Sequence, residues 1–104
     1  MPSTNDFIAA LNAFVTATEN RIKAKNERMG YKASVKLTYV AGRKNVKIVT
    51  NELGGRSVFC FVRIEDGAIL KAAGWKAPAK GVRGSIYVNN GQDAVTEYGA
   101  NYLR

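Results

Sequence analysis

The chain has 104 residues and carries a net charge of +8, from 16 Lys and Arg against eight Asp and Glu. A chain of this length has enough apolar residues for one core, so we expect a single domain over residues 1–104. It contains no histidine and a single cysteine. This removes the commonest general base and the commonest transition-metal ligand, and it excludes an internal disulfide. We therefore expect no catalytic residue, no metal and no cofactor.

The charge and the apolar pattern bear on location and partners. No apolar run approaches the roughly 18 residues that cross a bilayer, and residues 1–6 lack the basic cap of a secretory signal. We expect a cytoplasmic protein without a membrane partner. The excess of cations favours an anionic partner, either nucleic acid or an acidic protein, and the alternative is a solvated basic surface with no specific partner.

The N-terminal quarter has the pattern of an amphipathic helix. Ser3 and Asp6 form an acidic capping box just before an apolar run. Apolar side chains then recur at three- and four-residue spacing from Phe7 to Ile22. Several cations lie in the last turns, where they interact favourably with the negative end of the helix dipole, and Gly30 can end the helix. The pattern predicts a helix over about residues 4–28.

Four strands with alternating or continuous apolar side chains follow, at residues 34–39, 46–50, 57–64 and 68–72. The short turns between them predict an antiparallel meander, with a two-residue turn at Asp66 and Gly67. In the third strand, alternation places Cys60 on one face with Val58, Val62 and Ile64. We expect Cys60 to be buried there, because a free cysteine behaves as a small hydrophobe.

The last third has a weaker pattern. Glycines and Pro78 predict a loop over residues 73–84, followed by a short strand at 85–88 and a turn at 89–91. Val95, Tyr98 and Tyr102 mark one face of a short terminal helix. The whole chain therefore predicts an α+β fold: a four- to five-stranded antiparallel sheet with the long helix on one face and a short C-terminal helix.

The most unusual stretch is residues 67–92, which contains no acidic residue. Charges that track phosphates and a ring that stacks on an unpaired base are what a single-stranded nucleic acid requires. The alternative is that the aromatic ring anchors the loop onto the core while the cations solvate it. The stretch supplies one ring and four cations: Trp75, Lys71, Lys76, Lys80 and Arg83.

Two further clusters are candidates. Alternation predicts that Phe59, Phe61 and Arg63 share one face of the third strand, where the rings either stack on bases or are buried under a terminal helix or a second subunit. The first hairpin carries Lys44 and Lys47, which can follow a phosphate backbone or simply blunt an exposed sheet edge.

The run 59–64 is similar to the central strand of an RNA-recognition motif. The required strand–helix–strand unit does not precede it, so that family is excluded. The runs 67–86 and 98–103 resemble small uncharacterised proteins of tailed phages, a likeness that implies no established activity. The chain also resembles, more loosely, the Whirly and positive-cofactor-four single-strand binders. The likeness is in the order of three features: the turn at 66–67, the basic stretch 71–80 and residues 84–86. Their fold implies a dimer and sheet-and-loop binding; the long first helix and the loop around Trp75 depart from it.

The leading hypothesis is non-enzymatic, sequence-tolerant binding of single-stranded DNA or RNA. The cations of the basic stretch contact phosphates with help from the first hairpin, and Trp75 stacks on a base, with Phe59 or Phe61 as further stacking rings. The alternative is a protein-interaction module: a phage-encoded inhibitor that docks on an acidic host protein, or a homo-oligomer such as a homodimer.

Overall fold

The structure, a computed structural model, describes residues 4–30, 35–52, 55–96 and 99–100. Helix α1 spans Thr4–Arg28 and is followed by five strands: β1 Lys36–Ala41, β2 Asn45–Glu52, β3 Gly55–Arg63, β4 Ala68–Ala72 and β5 Pro78–Ser85. A 3-10 helix over Asn89–Ala94 precedes two very short strands, β6 Val95–Thr96 and β7 Gly99–Ala100. The predicted α+β class is confirmed.

The five long strands form one sheet in the order β1-β2-β3-β4-β5, and every neighbouring pair is antiparallel. Each strand pairs with the next along the chain because the connections are short. The predicted antiparallel meander is confirmed. The turn between β3 and β4 spans residues 64–67 rather than two residues, and Gly67 closes it at a positive φ of 72°.

Helix α1 follows its predicted bounds and packs on one face of the sheet. Phe7, Leu11, Phe14 and Ile22 are buried at helical spacing and belong to the hydrophobic core. The helix is also tied to the C-terminal segment, since the Arg21 guanidinium donates hydrogen bonds to the carbonyl oxygens of residues 92 and 95 at 3.0 and 3.1 Å. One layer of helix therefore covers one face of the sheet.

Strand β3 departs from simple alternation. Its register against β2 shifts between Ile48 and Val49, so that Phe59 is an extra residue on β3. At such a bulge two residues oppose one, and Phe59 and Cys60 both join the core on the helix side. The prediction that Phe59 and Phe61 share one face is therefore wrong. The predicted burial of Cys60 is confirmed, and both phenylalanine rings are buried as well.

The C-terminal third corrects three assignments. Residues 78–85 form strand β5 rather than a loop, with two register shifts against β4 that hide any alternation from the sequence. Of the predicted strand at 85–88, Ser85 ends β5 and residues 86–88 form a turn. The short helix near the C-terminus is the 3-10 helix, which lies before Val95, where the terminal helix was predicted to begin. Residues 95–96 and 99–100 pair as strands instead. Tyr98 and Tyr102 lie outside the described residues.

Both edges of the sheet are protected. On β1, the Leu37 N–H donates to the Glu19 carboxylate of α1 at 3.1 Å, which satisfies a group that would otherwise face outward. Burial raises the pKa of Glu19, but hydrogen bonds from Lys23 and from the Leu37 N–H outweigh it, so the pKa lies below its ordinary value. The opposite edge, β5, is broken by its bulges.

Candidate nucleic-acid interface

The face of the sheet opposite α1, here called the outer face, is buried by something other than the helix. Alternation along β2, β3 and β4 places Val49, Phe61 and Leu70 on it. They do not belong to the core cluster under α1, yet Val49 is 0% exposed and Phe61 4%. Residues from another part of the chain must therefore lie over the outer face.

The turn between β4 and β5 provides this cover. The N–H groups of Ala73 and Gly74 donate to the Ala77 carbonyl at 3.0 and 3.2 Å, which closes the turn around Trp75. The Lys47 Nζ lies 4.5 Å from the centroid of the Trp75 ring, and the Arg56 Cζ lies 5.6 Å from it. The Trp75 loop (residues 73–77) therefore folds back over β2 and β3.

The position of the indole follows from the strand register. Lys47 pairs with Phe61, and Arg56 pairs with a residue four positions further along β2, so the Val49–Val58 pair lies between the two cations. Because cations on both sides of this pair approach the same ring, the indole lies on the outer face near Val49. Trp75 itself remains 45% exposed and is not part of the core cluster. The indole covers the outer face and still offers surface to a ligand.

Two adjoining cavities run along the outer face beside Trp75. The first has a volume of about 300 Å³ and lies between the β1–β2 turn and the Trp75 loop. The second, about 360 Å³, continues toward β5 and shares Lys44 and Asn45 with the first. Together they form what we call the basic groove, and no acidic residue lines either cavity. Its cations are Arg43, Lys44, Lys47, Arg63, Lys76 and Lys80.

The groove brings together residues that the sequence assigned to three separate clusters. Lys44 and Lys47 of the first hairpin line the first cavity with Lys76 of the basic stretch, and the buried Phe61 contributes to the same wall. Lys80 and Arg63 line the second cavity. The first hairpin, the third strand and the loop around Trp75 therefore form one continuous cationic surface.

Three predicted residues do not join this surface. Lys71 alternates with Leu70 along β4, which places it on the helix side of the sheet, and it lines neither cavity of the groove. Arg83 lies at a bulge and donates to the carbonyls of residues 80 and 81 in its own strand. Phe59 lies in the core and has no open face for a base.

One groove cation is partly neutralised inside the protein. Arg63 donates to both carboxylate oxygens of Asp66, at 2.9 and 2.6 Å. The hydrogen bond from Arg63 holds the pKa of Asp66 below its ordinary value, and the same contact raises the pKa of Arg63. Asp66 also accepts the N–H of Ala68, which fixes its position. Arg63 therefore offers a ligand less free charge than the groove lysines do.

Sequence reasoning missed Arg56. It stands at the start of β3, away from the predicted clusters, and no local pattern marks it. Its proximity to Trp75 depends on the loop folding back across two strands, which is a property of the tertiary structure. Arg43, in the turn of the first hairpin, lines the groove as well.

A third cavity, of about 490 Å³, adjoins the groove at Arg43, Lys44 and Arg63 and has Glu65 in its lining. A fourth, of about 330 Å³, lies at the other end of β5 and contains none of the predicted residues. Its walls are mainly apolar, with Asp66 and Asp93 at its lining. Elsewhere in the described part of the chain, no cluster of three or more potential metal ligands occurs. Burial raises the pKa of the Cys60 thiol, which therefore stays protonated.

Among residues 4–30, 35–52, 55–96 and 99–100, no helix combines the length and the apolar composition needed to cross a membrane. The fold and the groove define a basic α+β domain in which a five-stranded antiparallel meander carries a helix on one face and a cationic groove on the other. The chain belongs to a family of unknown function, DUF7717, whose model matches residues 3–102. Searches of the curated proteins and of the solved structures gave no match.

Proposed function

We propose that this protein is a non-enzymatic binder of single-stranded DNA or RNA, and that the basic groove together with Trp75 is its binding site. The observation that carries the proposal is a half-exposed indole beside an acid-free groove lined by lysines. A strand's phosphates would contact Lys44, Lys47, Lys76 and Lys80, while a base stacks on Trp75.

The size of the groove favours single strands over duplexes. Cavities of about 300 and 360 Å³ accept single nucleotides rather than the full width of a duplex, and stacking on Trp75 requires an unpaired base. The groove and the Trp75 ring beside it together follow β2 from Asn45 to the level of Arg56, six residue steps, which at about 3.3 Å per residue is about 20 Å. We therefore expect a footprint of about three to six nucleotides.

The same cations would attract an acidic protein, which is the second candidate. Trp75 favours nucleic acid, because phosphates alone, or carboxylates, do not require an open aromatic ring next to the cations. The likeness of residues 67–86 and 98–103 to small tailed-phage proteins supports a phage-encoded protein that acts in the host cytoplasm, where both partners occur.

The test is a fluorescence-anisotropy titration of a labelled deoxythymidine decamer at low salt. We expect saturable binding by the wild type, and about a 5- to 150-fold loss for Trp75→Ala, since stacking contributes about 1–3 kcal/mol per base. Tyr39→Ala is the matched control, because Tyr39 is similarly exposed but bonds Asn12 of α1 on the helix side. Undetectable binding at low salt, or equal affinity for Trp75→Ala and wild type, would contradict the proposal. Stronger binding to poly-glutamate than to the decamer would favour the acidic-protein alternative.

A further inference from the structure

Arg56 lies outside the basic groove but contacts the same indole as the groove residue Lys47. The two cations approach the Trp75 ring from opposite sides of the Val49–Val58 pair, at 5.6 and 4.5 Å from the ring centroid. Within the described part of the chain, no carboxylate forms a salt bridge with either of them. Two cations from adjacent strands therefore approach one half-exposed ring.

This arrangement fixes the ring without burying it. A cation over an indole face is attracted by the ring quadrupole, and a pair of cations from two adjacent strands restricts the ring more than one does. A ring that is already oriented loses less conformational freedom when a base stacks on it, so binding is tighter for the same contact. The strand register, rather than core packing, sets the position of the indole.

We propose that Lys47, Trp75 and Arg56 form a preformed nucleobase position, with Arg56 as the positioning residue of the ring. This inference rests on the proposed function and deepens it: the ligand is a strand with at least one unpaired base, and its recognition extends beyond the groove to the start of β3. Arg56 acts through Trp75, so its contribution is tied to the base and not to the phosphates.

The experiment compares two ligands that carry the same number of phosphates, a deoxythymidine decamer and an abasic deoxyribose-phosphate decamer. Arg56→Ala is expected to weaken decamer binding about two- to fivefold more than the equal charge loss in Lys71→Ala, from the strength of an exposed cation–π contact. With the abasic strand the two variants should bind alike. In a Trp75→Ala background the extra loss should disappear, and Arg56→Lys should recover most of the affinity.

Trp75 is the single tryptophan of the chain, so its emission reports on the same contact without any ligand. Arg56→Ala should shift the emission of the free protein, and Lys71→Ala should leave it unchanged. Arg56 is exposed, so we expect Arg56→Ala to keep the wild-type melting temperature.

The outcomes separate the two proposals. Two results would overturn the positioning role and leave the proposed function standing, provided that the wild type binds the decamer. In the first, Arg56→Ala loses equal affinity for the deoxythymidine and the abasic strand. In the second, Arg56→Ala loses as much affinity in the Trp75→Ala background as in the wild type. Should the wild type bind neither strand at low salt, the proposed function fails and this inference fails with it.

Discussion

The two faces of the sheet are buried by different means. On the helix side, α1 contributes Phe7, Leu11, Phe14 and Ile22 to a continuous apolar core. On the outer side, Val49, Phe61 and Leu70 are buried outside that core, beside the Trp75 loop and the cationic side chains of the groove. Long cationic side chains can cover apolar surface while their charged ends stay in water. The outer face therefore combines buried apolar residues with exposed cationic and aromatic side chains.

The largest expected effect is on the helix side. Phe14→Ala should lower the free energy of unfolding by about 3–5 kcal/mol, because the ring is fully buried between helix and sheet. Phe61→Ala, on the outer face, should cost about 2–3 kcal/mol, since the Trp75 loop can collapse into the space. Urea denaturation followed by circular dichroism measures both. An equal or larger loss for Phe61→Ala would show that the two faces are packed alike.

The second prediction concerns two glycines, one near each face. Gly91 has a positive φ of 76°, and a Cβ there would lie 2.5 Å from Phe14 Cδ1. Gly91→Ala should therefore destabilise the protein by about 2–4 kcal/mol. Gly74, in the Trp75 loop, has no atom within 4 Å of an added Cβ, so Gly74→Ala should change stability by less than about 0.5 kcal/mol. Thermal denaturation of the two variants gives the comparison.

The third prediction concerns Glu19, which holds the edge strand β1 to α1. Glu19→Ala leaves the Leu37 N–H without its acceptor and should cost about 1–3 kcal/mol. Because the pKa of Glu19 is lowered in the folded state, its contribution is complete above the unfolded pKa of about 4.3. That contribution is lost as the pH falls through the lower, folded pKa. Urea midpoints between pH 3 and 7 should therefore converge for wild type and variant at the acidic end; a constant difference would argue against this role.

The smallest expected effect is in the groove. Asp66→Asn removes the charge that neutralises Arg63 and keeps an oxygen to accept the Ala68 N–H. Affinity for the decamer should rise about two- to threefold at low salt, because an exposed pair of this kind contributes modestly. Asp93→Asn is the control for the loss of one negative charge away from the groove. Equal gains for both variants would mean that only net charge matters.

The sequence predicted what depends on local periodicity. The apolar spacing from Phe7 to Ile22 defined α1 within a residue or two, and alternation located β1 to β4 closely. Prediction from the sequence failed where a bulge interrupts the alternation of side chains. The bulge that turns Phe59 toward the core leaves no mark in the sequence, and the bulges of β5 made a strand resemble a loop.

The candidate site was predicted in composition but not in arrangement. Trp75, Lys76 and Lys80 stood out because they are cations and a ring within an acid-free stretch. Lys71 belonged to the same stretch, and only the pairing of Leu70 with Phe61 shows that it lies on the other face. The contact of Arg56 with Trp75 arises when the loop crosses two strands, and no residue near Arg56 signals that path.

The central claim is that binding belongs to the outer face, and Lys71 and Lys76 test it most directly, because they are five residues apart on opposite sides of the sheet. The measurement is the salt dependence of decamer affinity for Lys71→Gln and Lys76→Gln. Lys76→Gln should reduce the slope of log affinity against log salt by about 0.7, the value for one phosphate contact with a single strand, and Lys71→Gln should leave it unchanged. Equal reductions for the two variants, or a reduction for Lys71→Gln alone, would contradict the account.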